Sequence, residues 1–266
     1  MHRWAKFYDL PVELSERIVL LAARSYALDK AWLAQLARVS RAIHTLVQPI
    51  LVYKIVVTSS NLSRLYATSG TFTSTRCIMV DDDIEDEELF RDFLLSSPEL
   101  HSVDMFRGPI WALRALLKVS RPSRIIIPPA LWRGADWRAS PERLSQITHI
   151  RGVLSTLFSL LCIADPSSCT THVIVNQIEE VLVYGSSLNL LIIDEVLIKF
   201  IRLPRLQRLC IAVVHDDQTE LSSALSTFAR KHRETRLWIS RAQPEHDLYT
   251  VFHDESWITG QQLYCE

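Results

Sequence analysis

Short runs of β-branched and aliphatic residues alternate with helix-like segments along residues 55–266, and this alternation constrains the fold more than any other feature of the sequence. The runs predict strands at 77–80, 103–106, 125–127, 147–150, 173–175, 190–193, 209–214 and 237–239. Apolar residues at helical spacing predict helices between them, at 89–95, 113–117, 153–163, 196–201 and 221–228. Alternation of the two kinds of element predicts an α/β fold.

The predicted strands start 17 to 28 residues apart, which is close to the period of leucine-rich repeats. In such repeats one strand and one helix form a unit that buries its apolar face against the next unit. Two segments, 94–105 and 201–211, keep the same spacing between a helix end, a turn proline and a strand. The interval favours an irregular leucine-rich-repeat-like α/β solenoid. A doubly wound α/β domain is the alternative, because it has the same alternation of elements.

The chain has six glycines among 266 residues, and the two nearest, Gly134 and Gly152, are 18 residues apart. Dinucleotide-binding fingerprints, P-loops, kinase glycine-rich loops and nucleophile elbows need two or three glycines close together. The sequence therefore contains none of these motifs. Neighbouring histidines and carboxylates at 215–217, 246–247 and 253–255 are predicted to be polar loops, since adjacent side chains seldom face one site. We expect no enzymatic activity, no catalytic residue and no cofactor, and an α/β enzyme is the least favoured alternative.

Charge and cysteine content argue against several classes of partner. Lysine and arginine number 29 and aspartate and glutamate 30, so the net charge of −1 gives no overall attraction to nucleic acid or to an anionic membrane. The five cysteines form no Cys-x-x-Cys pair, which argues against a zinc ribbon and a disulfide framework. No signal-peptide core and no apolar stretch of membrane-spanning length is present. We therefore expect a cytoplasmic or nuclear protein without a bound metal.

Residues 1–54 differ from the rest in pattern and charge. Two apolar stripes there have helical spacing: Leu14, Ile18 and Leu21, then Leu33, Leu36, Val39, Ile43, Leu46 and Val47. Pro11 suits the first turn of a helix, and Pro49 is predicted to end the last one. The segment has eight lysines and arginines against four carboxylates, a net charge of about +4. The chain is predicted to consist of a basic helical module, residues 1–54, and an α/β body, residues 55–266.

Three runs occur in order within this module: Leu10-Pro11-Val12-Glu13-Leu14, then Leu36-Ala37-Arg38-Val39-Ser40-Arg41, then Pro49-Ile50-Leu51. Together they resemble the F-box, and most closely the F-boxes of the large fungal families. The resemblance covers about a fifth of the chain, and the body is similar to the leucine-rich-like regions of the same proteins without a residue-level motif. It implies that the module binds the Skp adaptor, which links F-box proteins to a cullin ubiquitin ligase, and that the body binds a target protein.

Carried onto this sequence, the resemblance implies adaptor contacts by Leu10, Pro11, Leu14, Ile18, Leu21, Leu33, Leu36, Val39 and Leu46. A module this small cannot bury two apolar stripes within itself, so one of them must contact a partner or the body. The implied function is that of a substrate receptor that brings a target to the ligase and performs no chemistry itself. One alternative is a helical cap that closes the first repeat of the solenoid. Another is a leucine-rich-like interaction scaffold without adaptor binding.

A second candidate surface combines aromatic and cationic side chains in a predicted loop of the body. Its residues are Trp132, Arg133, Trp137 and Arg138, which follow Pro128-Pro129. Tryptophan and arginine are enriched in binding hot spots, so these four residues are candidates for contact with the target. The alternative is an ordinary loop held by two buried indoles.

The acidic run at 81–88 offers several carboxylates, the ligands that hard divalent cations prefer. It lacks the spacing and the glycine of a calcium-binding loop. The run is predicted instead to lead into the helix that includes Leu89, where negative charge is favourable at the amino-terminal end.

Overall fold

The computed structural model describes residues 10–27, 29–68, 70–81, 83–128, 144–154, 157, 160, 169–176, 183–184, 187–188, 190–213, 219–241 and 260–265. Within these ranges the chain has eight α-helices and an open nine-stranded sheet. The predicted α/β class is confirmed. None of the helices in these ranges combines the length and the apolar character needed to cross a membrane.

Three helices form the amino-terminal module: α1 (Val12–Ser25), α2 (Lys30–Ala37) and α3 (Arg41–Tyr53). Asp29 caps α2 by accepting a hydrogen bond from the Trp32 amide at 2.9 Å. Ser40 caps α3 in the same way, accepting from the Ile43 amide at 3.2 Å. The module has a small core of its own, whose buried members are Ala23, Leu33, Ala37 and Val47.

Pro49 does not end α3, and the prediction that it would is wrong. The helix continues through it to Tyr53. A proline inside a helix removes one backbone donor and costs about 3 kcal/mol. This cost is offset because Ile50 and Leu51, in the turn after the proline, pack against the module core. As a result α3 runs directly into the first strand, which begins at Lys54.

The body contains eleven described strands: β1 (Lys54–Val57), β2 (Cys77–Val80), β3 (Met105–Arg107), β4 (Arg124–Ile126), β5 (His149–Val153), β6 (His172–Asn176), β7 (Val183–Tyr184), β8 (Ser187–Leu188), β9 (Arg208–Val213), β10 (Leu237–Arg241) and β11 (Gln261–Gln262). β7 and β8 form a separate antiparallel hairpin. The other nine lie in chain order across one sheet, all parallel except β11, which pairs antiparallel with β10. Within the described strands the sheet grows in one direction, without the reversal of order that characterises a doubly wound sheet.

In several strands, the carbonyl of the residue just before the strand accepts hydrogen bonds from two amides at the start of the neighbouring strand. The Ser123 carbonyl, for example, accepts hydrogen bonds from the amides of Thr148 at 2.8 Å and His149 at 3.1 Å. The same pair of hydrogen bonds, from two successive amides of the next strand, is accepted by the carbonyls of Arg76, Asp104, Thr148 and Thr171. The connection is thus repeated from β2 to β9, although the lengths of chain between these strands are uneven.

The helices of the body cover one face of the sheet. They are α4 (Leu62–Ala67), α5 (Glu87–Ser96), α6 (Ile110–Leu116), α7 (Leu190–Ile201) and α8 (Thr219–His232). The main core joins them to alternate strand residues such as Ile78, Phe106 and Val173. On the opposite face, the buried clusters contain strand residues only: Ile126, Ile174 and Cys210 in one, and Cys77, Met79 and Met105 in the other. We call this second surface the open face.

The predicted strand at 190–193 is wrong, because these residues form the first turn of α7. A short run of Leu and Ile does not distinguish a strand from a buried helix, and the helical pattern at 196–201 continues the same element. β1 was not predicted. The remaining predicted strands overlap β2 to β6, β9 and β10. The predicted helix at 153–163 lies largely outside the described residues.

Arg236, the residue before β10, forms an ion pair with Glu234 and a hydrogen bond to the end of α7. The Arg236 guanidinium donates to the Glu234 carboxylate at 2.6 Å and to the Ile201 carbonyl at 3.0 Å. Burial would raise the pKa of Glu234, but the hydrogen bonds and charge of Arg236 outweigh it and hold the pKa below its usual value.

The Glu234→Gln variant is therefore expected to lose about 1–3 kcal/mol of unfolding free energy at pH 7. Because the folded-state pKa is lowered, the stabilisation is fully present above the unfolded pKa of about 4.3 and is lost as the pH falls through the folded value. Urea unfolding of wild type and variant at pH 7 and pH 3 measures the effect, with Glu195→Gln, an exposed glutamate of α7, as the control. An equal difference at both pH values would contradict the assignment.

Candidate functional site

Three aliphatic side chains of α1 form an exposed stripe. Leu14, Ile18 and Leu21 are 48%, 46% and 57% exposed, and their spacing of four and three residues places them on one side of the helix. We call these three residues the α1 stripe. Ala23 and Val19 of the same helix belong to the module core. Helix α1 is therefore apolar on two sides, only one of which is used within the module.

Exposed apolar side chains are concentrated in the module. Of the nine large hydrophobic residues that are exposed within the described ranges, seven lie between residues 12 and 53. They are Val12, Leu14, Ile18, Leu21, Tyr26, Val39 and Tyr53. Val39, which follows α2, is the most exposed of them at 66%. Clustered apolar side chains on a surface mark a site of contact with another molecule.

The other residues implied by the F-box resemblance have different positions. Leu33 is fully buried and holds the three helices together, and Leu36 packs partly buried against the same core. Leu10 and Leu46 are half-buried, and Pro11 is exposed at the start of α1. The structure therefore brings Leu14, Ile18 and Leu21 together on an accessible surface, whereas Leu33 serves the interior of the module.

Lys30 links α2 to the end of α3 within the module, and it lies next to the first residues of the body. Its ammonium donates to the Leu51 carbonyl at 2.8 Å. A cation interacts favourably with the helix dipole at this carboxyl-terminal end of α3. Burial, together with the nearby charge of Lys54, lowers the pKa of Lys30 to about 8. A cavity of about 550 Å³ lies here between the module and the first strand and helix of the body. It is lined by Asp29, Lys30, Leu51, Val52, Lys54, Ile55, Val56, Asn61, Leu65 and Phe72.

The open face carries a feature that sequence reasoning missed. His149 and His172 are register partners on β5 and β6, and their rings stack with centroids 4.4 Å apart and an interplanar angle of 6°. On the neighbouring strands, Arg124 of β4 is the register partner of His149, and Arg208 of β9 is the register partner of His172. A signal was present in the sequence, because the dipeptide Thr-His occurs at 148–149 and again at 171–172.

Trp132, Arg133, Trp137 and Arg138, the candidates for target contact, lie outside the described residues. The acidic run is partly described, and the prediction that it leads into a helix is confirmed. Asp86 caps α5 by accepting a hydrogen bond from the Leu89 amide at 2.8 Å, with Glu87 and Glu88 in the first turn. Among the described residues, no three potential ligands come together as a metal site.

Comparison of the chain with protein-family models, curated proteins and solved structures gives no match.

Proposed function

We propose that this chain is the substrate-recognition subunit of a Skp-cullin-F-box ubiquitin ligase, with the module bound to the Skp adaptor and the body bound to a target protein. The α1 stripe is the observation that carries the proposal. Its three side chains are about half exposed on a helix whose other apolar side closes a separate core. The stripe is therefore available to a groove on a partner, which is the arrangement used in helix-in-groove recognition.

The exposure of the stripe favours a partner over a capping role. A helix that caps a solenoid turns its apolar side towards the first repeat. Here the module meets the body elsewhere, through Lys30 and the end of α3, which line the cavity of about 550 Å³ described above. The α1 stripe faces away from its own core and remains exposed.

In this proposal the body is an irregular leucine-rich-repeat-like solenoid. The sequential parallel order of the strands, and the pair of hydrogen bonds accepted by the carbonyl that precedes each of the strands β2 to β6, support this reading. Helices on one side and an open face on the other give a broad surface for a protein ligand. The chain then supplies proximity between ligase and target.

The proposal is tested by co-purification of the full chain with a Skp adaptor, comparing wild type with the Leu14→Asp/Leu21→Asp double variant. Each buried aliphatic side chain contributes about 1.5–3 kcal/mol to an interface, so the variant should bind about 100-fold more weakly or worse. Both side chains are exposed in the free chain, and the unfolding temperature should therefore be unchanged.

Leu95→Asp provides a matched control, because Leu95 is 61% exposed and lies on α5 of the body. It introduces the same change of chemistry and should leave adaptor binding intact. A folded wild-type chain that does not bind the adaptor would refute the ligase proposal in favour of the interaction scaffold. Equal loss of binding in the Leu95 variant would show that the stripe is not the specific contact.

A further inference from the structure

The cavity between the module and the body lies beside the first strand of the sheet. β1 begins the order of strands, so no other described strand pairs with its outer side. Three successive residues of β1, Lys54, Ile55 and Val56, line the cavity together with Lys30 of α2 and the end of α3. Its volume of about 550 Å³ is within the range of about 300–1,000 Å³ that is typical of small-molecule sites.

The walls of this cavity are mainly aliphatic. Their apolar members are Leu51, Val52, Ile55, Val56, Leu65 and Phe72. Ile55 and Phe72 are buried, and the other four are partly buried. The Phe72 ring packs edge-on against Phe93, which anchors this part of the wall in the main core. A ligand that matches these walls has an apolar chain, since burial of apolar surface is favourable.

Two lysines bring positive charge to the cavity. Lys30 is partly buried, Lys54 is 8% exposed, and the two charges repel each other. The third charged residue of the lining is Asp29, an exposed residue whose carboxylate caps α2 by accepting from the Trp32 amide. The Cys77 thiol interacts with both lysines, but burial raises its pKa to about 12, so it is uncharged at pH 7. The lining therefore has an excess of positive charge.

Lys30 contacts carbonyl oxygens and no described carboxylate. Its ammonium lies 2.8 Å from the Leu51 carbonyl and 3.5 Å from the Ile50 carbonyl. An ammonium has three N–H donors, so at least one is left after these two contacts. The pKa of about 8 keeps Lys30 about 90% protonated at pH 7. A carboxylate beside it would accept the remaining hydrogen bond and offset the repulsion from Lys54.

We propose that this cavity binds a small carboxylate with an aliphatic chain, whose carboxylate accepts a hydrogen bond from Lys30 and whose chain packs against the apolar walls. A single remaining ammonium donor suits one carboxylate better than a polyanion. The inference goes beyond the proposed function and does not depend on adaptor binding, because no residue of the α1 stripe lines the cavity. Since the ligand contacts both the module and the body, it should also stabilise the folded chain.

The test is isothermal titration calorimetry of the full chain with octanoate at pH 7.0. Octanoate should bind at least about tenfold more tightly than 1-octanol, which has the chain without the charge, and than acetate, which has the charge without the chain. It should raise the unfolding temperature. The octanoate affinity should fall about tenfold between pH 7.0 and pH 9.0, because the protonated fraction of Lys30 falls from about 90% to about 10%.

Variants assign the binding to the cavity. Lys30→Met should lose the preference for octanoate over 1-octanol, whereas Lys118→Met, a change at an exposed lysine of the body, should keep it. Leu65→Trp leaves Lys30 in place and fills part of the cavity, so it should weaken the binding of both ligands. The Leu14→Asp/Leu21→Asp variant should bind octanoate as wild type does, which separates the cavity from the exposed α1 stripe.

Equal binding of octanoate and 1-octanol, equal octanoate affinity at pH 7.0 and pH 9.0, or full octanoate binding by Lys30→Met would each overturn the inference. Loss of octanoate binding in the Leu14→Asp/Leu21→Asp variant would assign the contact to the α1 stripe instead. Inorganic phosphate that binds more tightly than octanoate would overturn the choice of ligand. If Lys30→Met melts at a lower temperature, Leu65→Trp and the wild-type comparison of octanoate with 1-octanol decide the question.

Discussion

The Phe93→Ala variant is expected to lose about 3–5 kcal/mol of unfolding free energy, because a buried phenylalanine is replaced by a cavity. Phe93 of α5 is fully buried. Its ring meets Phe72 edge-on at a centroid distance of 5.7 Å and lies 6.3 Å from the ring of Phe90. The loss removes burial and aromatic contacts that join α5 to the rest of the core.

Urea unfolding followed by circular dichroism measures this loss. Leu95→Ala is the control on the same helix, because Leu95 is exposed and its truncation should change stability by less than about 0.5 kcal/mol. Similar unfolding midpoints for the two variants would show that α5 does not pack on the sheet through Phe93.

The Gly108→Ala variant is expected to lose about 2–6 kcal/mol, the sum of backbone strain and overpacking. Gly108 follows β3 with a φ of +156°. A Cβ atom at this position would come within 2.8 Å of the Val80 Cβ and 3.1 Å of the Val80 carbonyl oxygen. Neither neighbour can withdraw easily, since Val80 is part of the parallel strand β2.

Gly70→Ala separates the two contributions. Gly70 has a φ of +94°, but the nearest atom to an added Cβ is the Glu99 Oε1 at 3.6 Å. Alanine there should cost only the backbone strain, about 1–3 kcal/mol. Thermal or urea unfolding that gives Gly108→Ala a loss no larger than that of Gly70→Ala would contradict the close approach of β2 and the turn after β3.

Most of the elements of the body follow from local patterns. The runs at 77–80 and 209–213 are apolar and β-branched enough to specify strands wherever they lie in the sheet. The stretch 190–193 has the same character, yet it is helical, because the residues after it continue a helical pattern and a helix is stabilised over its whole length. The local pattern does not predict the correct element there, because a run of four apolar residues fits both the strand period of two residues and the helix period of about 3.6 residues.

The candidate sites divide in a similar way. The spacing of Leu14, Ile18 and Leu21 is enough to place them on one side of a helix. Burial of Leu33, in contrast, depends on how α2 and α3 pack together, and the sequence alone does not separate it from the exposed positions. The resemblance to an F-box therefore implies a set of contact residues, but only the packing of the helices determines which of them are exposed.

The sequence by itself determined the alternation of helices and strands and the amphipathic pattern of the module, because these patterns depend on neighbours within a few residues. Tertiary structure decided the order of the strands, the face that the helices cover and the register that places His149 beside His172. A shift of register by one residue would move either histidine to the helix-covered face. Residues 23 positions apart become neighbours only when the sheet assembles, and so the stacked histidine pair is a property of the fold.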